Sequence, residues 1–293
     1  MQNIGYRIRQ FLFRTLSMKD INRIRKIKWF LLGPFVNDKK LIRRFYHKEV
    51  EIRVLEQLFC TVLTTPFQKV LDIGANIGEY ASYLSKFIRP YEGICIGFEP
   101  RNDLIKRLKR NVTEDNFLVE QVALSNKAGV ADLFLPANHG RSSLIPQKEF
   151  TGFKTEKVTL ISLDSYVRGK YLSPIVFIKI DVEGHELEVL EGACAVIRQH
   201  KPLILCESEN CFLVSQGRSV TTIINYIKTF GYNAYVISRK RSQLISAERV
   251  KVQHETPSGK EDFCNYWFIH ESQTQVVESL RNIVQQSLFV CSD

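Results

Sequence analysis

The run Val70-Leu71-Asp72-Ile73 breaks into Gly74-Ala75-Asn76-Ile77-Gly78 and continues without a pause into Glu79-Tyr80-Ala81-Ser82-Tyr83-Leu84-Ser85-Lys86-Phe87-Ile88. A short apolar run ahead of a glycine-bearing turn reads as a strand. Ala81, Leu84, Phe87 and Ile88 then fall on one face of a helix. A strand, tight turn and helix in this order commit the chain to an open α/β sheet. In such a sheet the junction sits at the carboxyl end of the strand, where ligands bind and the first N–H groups of the helix point outward. Gly74 and Gly78 are expected to remove side chains where a ligand presses on the backbone.

The spacing of the turn narrows the ligand. The dinucleotide fingerprint G-x-G-x-x-G needs a middle glycine that G-A-N-I-G lacks, and the Lys-Ser/Thr pair of a P-loop is missing as well. The turn resembles the first motif of class I S-adenosylmethionine-dependent methyltransferases in its D-x-G-A-N-x-G form. That likeness implies that Asp72 faces the amino end of the methionine moiety and that the cofactor lies across Gly74, Asn76 and Gly78. The next strand, Gly93-Ile94-Cys95-Ile96-Gly97-Phe98-Glu99-Pro100, ends in an acid 25 residues after Gly74. An offset of roughly 20 residues brings a carboxylate to the ribose hydroxyls of an adenosine cofactor, so Glu99 is the ribose candidate.

Charge and cysteine usage restrict the setting. The formal net charge is +10, but residues 1–33 carry Arg7, Arg9, Arg14, Lys19, Arg23, Arg25, Lys26 and Lys28 against Asp20 alone, leaving +3 for the other 260 residues. Basicity therefore belongs to an N-terminal arm. Within it Ile4, Ile8, Phe11, Leu12 and Leu16, then Ile21, Ile24, Ile27, Phe30 and Leu31, predict two basic amphipathic helices that stop at Gly33-Pro34. No stretch approaches the apolar length of a spanning helix or a signal core. Either attachment to an anionic membrane surface or docking on the main domain with solvated charges accounts for the arm. Seven scattered cysteines without a C-x-x-C spacing point to a reducing compartment and no zinc site. The expected location is cytoplasmic, with a peripheral place on the inner face of a membrane as the option the arm adds.

Beyond the arm, residues 39 to 63 form one more amphipathic helix, expected to cover the sheet edge or cap the cofactor pocket. Phe117–Ser125 supplies a third strand and its exit. Gly129–Pro136 follows too closely to be a core parallel strand and reads as a β insertion, and His139–Leu144 as a polar loop over the site. A strand and short helix span Lys157–Tyr166. In Ile175-Val176-Phe177-Ile178-Lys179-Ile180-Asp181-Val182-Glu183-Gly184-His185-Glu186, an apolar strand closes on Asp181. Leu187, Leu190, Cys194 and Ile197 then mark the buried face of the next helix. Strands at Pro202–Glu207, Ala234–Ser238 and Asn265–Ile269, a helix at Val220–Phe230, a long connection over 239–262 and a terminal helix over 275–290 complete the chain.

D-I-G-A-N-I-G, F-E-P, V-A-L-S, the Ser-Ser-Leu loop, S-L-D-S-Y and above all F-I-K-I-D-V-E-G-H-E-L-E-V-L-E-G-A together closely resemble the FkbM family of methyltransferases, over about residues 66 to 270. The resemblance implies a Rossmann-like class I methyltransferase, an α/β fold whose seven-stranded, mostly parallel sheet has an antiparallel last strand. To this the chain adds a helical N-terminal extension. The expected organisation is an arm over 1–50, a methyltransferase domain over 51–271 and a C-terminal helix over 272–293. The implied cofactor is S-adenosylmethionine, bound by Asp72, Gly74, Asn76, Gly78, Glu99 and Ala123, the last beside the adenine. The implied reaction is O-methyl transfer to a hydroxyl of a sugar, glycan or related natural product.

His185, Glu183 and Asp181 are the catalytic candidates. His185 falls in the first turn of a helix, where the positive end keeps the ring neutral and able to take a proton, with Glu183 or Asp181 orienting its other nitrogen. A Mg²⁺ ion shared by Asp181 and a second carboxylate is an alternative activator. A nucleic-acid methyltransferase of the same fold is disfavoured, since the chain has neither N-P-P-Y nor a Pro-Cys nucleophile and its charge lies on the arm. A non-catalytic membrane-docking module is the rival from another class.

Overall fold

Strands that read as unbroken apolar runs belong inside a sheet covered on both faces. The structure, a computed structural model that describes residues 39–136, 142–146, 152–238, 241–249 and 263–289, puts them there. The chain runs from helix α1 (Lys39–Thr61) through β1 (Lys69–Ile73), α2 (Glu79–Ile88), β2 (Ile94–Phe98), α3 (Asn102–Asn111) and β3 (Phe117–Glu120). Next come β4 (Ala123–Leu124), β5 (Gly129–Pro136), β6 (Phe153–Ile161), α4 (Leu163–Lys170), β7 (Ile175–Ile180), α5 (Glu186–Glu191), α6 (Cys194–His200) and β8 (Leu203–Glu207). The remainder holds α7 (Asn210–Leu213), α8 (Val220–Lys228), β9 (Tyr232–Ser238), β10 (Gln243–Ser246), β11 (Asn265–His270) and α9 (Thr274–Phe289).

The main sheet has the order β10-β9-β11-β8-β7-β1-β2-β3. From β3 to β8 neighbours are parallel; β11, the last strand of the chain, is antiparallel to both β8 and β9. Winding starts at β1, moves outward to β3, then returns to β7 and proceeds the other way. The reversal between β1 and β7 opens a crevice at their carboxyl ends, which is where such sheets bind ligands. Helices cover the sheet through apolar stripes: Tyr80, Ala81, Leu84 and Ile88 of α2, Leu104, Ile105 and Leu108 of α3, and Val220, Ile223, Ile224 and Ile227 of α8 are all buried. Val276, Leu280, Ile283 and Val284 of α9 are buried too.

The chain divides into two units, residues 1–51 and 52–293. Both expected arm helices lie outside the described residues. In the second unit the end of α1 buries Val54, Leu55, Leu58 and Phe59, with the Phe59 ring edge-on to Phe177 of β7 at 5.8 Å. It therefore packs over the middle of the sheet rather than on its edge or over a pocket, because Phe177 and Phe87 offer Phe59 aromatic partners. No helix among the described residues is long and apolar enough to cross a membrane.

Three further expectations need amendment. Among the described residues the main sheet has eight strands, not seven, because Gln243–Ser246, inside the span read as a long connection, pairs along the edge of β9. Only two apolar residues, Leu244 and Ile245, mark it in sequence. The helix expected through Ile197 is two helices broken at Gly192, where a side chain would meet the Ser125 carbonyl at 2.0 Å. The break exposes the N–H groups of Ala195 and Val196, which donate to the Asp164 carboxylate at 2.9 and 3.0 Å. Finally, the β insertion is a three-stranded sheet of order β4-β6-β5, so Ala123, at the exit of the third strand, belongs to a different sheet from β3.

Candidate active site

The turn after β1 is built by backbone. Gly74 and Ala75 donate their N–H groups to the Phe98 carbonyl, both at 3.0 Å, which ties the turn to the end of β2. Asn76, at φ 52°, donates its N–H to Glu99 Oε2 at 2.9 Å, and Asn111 Nδ2 holds the Ile77 carbonyl at 2.8 Å. Gly74 and Gly78 have φ of 81° and 87°. A side chain at either position would also collide with the protein itself. A Cβ on Gly74 would lie 1.9 Å from the Asp181 carbonyl oxygen, and one on Gly78 within 2.6 Å of Val112 and Leu108.

Glu99 is only 4% exposed. Its Oε1 accepts from the Arg101 N–H at 3.0 Å, while the Arg101 guanidinium is turned to Asp103. Burial raises the Glu99 carboxyl to about 7, against the pull of the two N–H donors. Each carboxylate oxygen keeps a lone pair beyond the N–H that it accepts. Beside it, α2 begins after Gly78 with no side-chain cap, and a helix N-terminus favours an anionic partner. A buried carboxylate with spare acceptor capacity beside a helix N-terminus is a donor set that fits S-adenosylmethionine. Asp72 is buried in β1 and Ala123 in β4.

Across the crevice the Asp181 N–H continues the ladder to the Ile73 carbonyl at 2.9 Å. The loop that follows is held from three sides. Gly184 N–H donates to Glu186 Oε1 at 2.8 Å, Gln216 Nε2 to the Gly184 carbonyl at 2.8 Å, and Ser143 Oγ to the Glu183 carbonyl at 2.7 Å. These bonds hold Glu183 at φ 52°, a left-handed backbone that costs an L-residue about 1–2 kcal/mol. Ser143 also places the short segment 142–146 against the site, in the area assigned to the polar loop; residues 137–141 lie outside the described residues.

Sequence reasoning passed over Lys179. It is the single polar residue inside β7 and is fully buried. Its Nζ lies 3.7 Å from Asp181 Oδ2 and 3.7 Å from Glu207 Oε2 at the end of β8, donates to the Ile180 carbonyl at 3.3 Å, and sits 5.0 Å from the centre of the Tyr80 ring. A lone lysine in an apolar run was the available signal. Asp181 and Glu207 keep 30% and 26% of their side chains exposed, so both reach the crevice while sharing a buried ammonium. Among the described residues no group of three or more His, Cys, Asp and Glu side chains is arranged to hold a metal ion.

His185 is oriented by different neighbours from those expected. Nε2 is 3.0 Å from Ser125 Oγ, and Nδ1 is 3.5 Å from Glu188 Oε2, one turn along α5, rather than against Glu183 or Asp181. Glu188 in turn pairs with Arg218. Burial lowers the His185 pKa against the opposing charge of Glu188, so the ring is neutral. Both of its nitrogens face protein, the geometry of a residue that ties the β4 exit to the loop after β7. Ser125, Glu188 and Arg218 have no sequence signature for this role, because they meet only in the fold.

Residues 72–234, more than half of the chain, match the methyltransferase FkbM domain family. The chain belongs to the FkbM methyltransferase family. The sheet order of this FkbM chain, with its antiparallel last strand, is that of class I methyltransferases. The FkbM chain is 30% identical over 162 residues to methyltransferase sdnD of Sordaria araneosa, an overlap that takes in 44% of this chain and 61% of that one. It thus spans less than two thirds of this curated relative. Among solved structures it resembles the methyltransferase FkbM of Methylobacillus flagellatus KT, at 19% identity and a TM-score of 0.43 over 72% of this chain and 47% of that chain. It also resembles fibrillarin of Aeropyrum pernix in complex with S-adenosyl-L-methionine, at 12% identity and 0.39 over 74% and 72%.

Proposed function

We propose that this chain is an S-adenosylmethionine-dependent O-methyltransferase whose acceptor is a hydroxyl of a sugar, glycan or related natural product. The observation that carries the reading is the pair of partly exposed carboxylates, Asp181 and Glu207, set on one buried ammonium beside the Gly74–Gly78 turn. S-adenosylmethionine supplies a methyl group made electrophilic by its sulfonium. Glu99 and Asn76 hold it from the β2 side, with Asp72, Gly74 and Gly78 shaping the turn beneath and Ala123 near the adenine.

An alcohol is a poor nucleophile until its proton leaves, so the protein must place a base at the attacking oxygen. Asp181 is that base. Its main chain touches Gly74, which brings its carboxylate next to the cofactor turn, and the Lys179 ammonium lies 3.7 Å from its Oδ2. Glu207 accepts from a second acceptor hydroxyl and orients the substrate. Glu183, on its constrained backbone, lines the rim, and His185 is a positioning residue that fixes the loop carrying Asp181 and Glu183.

Incubation with methyl-labelled S-adenosylmethionine and a panel of monosaccharides and glycan extracts tests the proposal. Label in an alkali-stable methyl ether is expected. Label only in alkali-labile esters, in nucleic acid, or nowhere would reject it, the last outcome favouring a binding module. We further propose that the basic arm holds the protein peripherally on an anionic, cytoplasm-facing membrane surface, on the strength of the charge on residues 1–33.

A further inference from the structure

At the other edge of the sheet, a cavity of about 380 Å³ opens between β9, β10 and α9. It is lined by Arg241, from the turn between the two strands, by Arg281 of α9, and by Asn233, Tyr235, Gln243 and Ser246. Among the described residues no carboxylate lines it. Among the described residues neither guanidinium makes an ion pair, and the two amides and two hydroxyls make no side-chain hydrogen bond to protein. Two cations from separate elements therefore converge on one space with their charge uncompensated. Such a pair lowers its energy by taking up an anion, and planar guanidinium groups match phosphate oxygens through paired N–H donors. β10 is the sheet edge, so alternate backbone N–H groups along Gln243–Ser246 also face away from the ladder.

The remaining lining sets the rest of the ligand. The volume is at the small end of natural ligand sites, sufficient for a phosphate joined to a short polyol. The amide and hydroxyl groups of Asn233, Gln243, Tyr235 and Ser246 suit sugar hydroxyls. β9 is separated from β1 by four strand spacings of about 4.8 Å, roughly 19 Å, so this space is distinct from the crevice at Gly74. We infer that the β9–β10–α9 cavity is a second binding site, for a small phosphorylated sugar-like molecule. The inference is independent of the reaction proposed above.

Calorimetry on the full chain with ribose 5-phosphate as the probe tests it. Saturable binding is expected, with none for ribose. Arg241→Gln and Arg281→Gln should each weaken binding about tenfold or more, as loss of a charge-assisted hydrogen bond does. Both arginines are exposed, so the variants should fold, and an unchanged S-adenosylhomocysteine affinity would verify that they do. Phosphate specificity is checked with gluconate, and a lipid source with vesicles containing phosphatidic acid. The inference is overturned by absence of saturation up to about 10 mM, by wild-type affinity in both variants, by equal affinity for gluconate, or by binding to vesicles alone.

Discussion

Glu99 titrates where binding is ordinarily measured, since burial brings it to about 7. Its ionised form is the better acceptor for ribose hydroxyls. Calorimetric affinity for S-adenosylhomocysteine should therefore rise from about pH 6 to about pH 8 in the wild type and stay level in Glu99→Gln. Glu99→Ala should weaken binding by roughly 1.5–3 kcal/mol. A level wild-type profile would remove the ribose role. The division between Asp181 and His185 is open to single-turnover kinetics. Asp181→Asn should slow the step about 10²–10⁴-fold, as loss of a general base does. His185→Gln should slow it about tenfold or less, while lowering the thermal midpoint through the lost Ser125 contact. The opposite ranking would return the proton to the histidine. Glu99, Asp181 and Glu183 could be named from sequence because each ends a strand or lies in the loop after one. Lys179 could not be given a role, since its meaning depends on Glu207 from the neighbouring strand.

Among the elements, the junctions are less tolerant than the strands that they connect. Gly74→Ala combines a φ of 81° with a side-chain atom 1.9 Å from a carbonyl oxygen, and should cost about 3 kcal/mol or more in urea denaturation. Gly217→Ala, at φ 65° with open space around it, should cost only about 1–2 kcal/mol. Equal midpoints for the two would show that close approach at Gly74 is relieved by movement of Asp181. Ser143→Ala should loosen the loop at Glu183, seen as faster amide exchange over residues 182–185 with about 1 kcal/mol of lost stability. Periodicity made β1, α2, β2, β7 and α8 legible, because each buries its own apolar pattern against the sheet. The break between α5 and α6 was not, as its cause is the Ser125 carbonyl, distant in sequence. The eighth strand escaped notice because an edge strand is stabilised mainly by its neighbour's unpaired backbone.

On the scale of the whole molecule, buried acid sets the response to pH. Burial raises Glu186 from 4.5 to about 8. Between those values the folded chain holds a proton that the unfolded chain has released, so stability falls as pH rises through the window. Glu186→Gln removes this component. Thermal melts should show the variant gaining on the wild type from about pH 5 to about pH 9, with a residual slope left by Glu99. A constant difference would mean that Glu186 is ionised in the fold. Residues 1–33 carry eight basic side chains, each worth about 1 kcal/mol near an anionic surface before ordering costs. Flotation with anionic liposomes at low salt should therefore separate the full chain from a truncation lacking them, and identical behaviour would dismiss the arm as an anchor. The contact between Gly74 and the Asp181 carbonyl has a practical corollary for anyone reshaping this protein. On the reading proposed above, donor and acceptor halves of the cleft share one seam of main chain that has no side chain to trim. Libraries aimed at new acceptors have their freedom instead in the β5–β6 hairpin and residues 142–146, which the Ser143 hydroxyl fastens to the rim and which can be exchanged without reopening the seam.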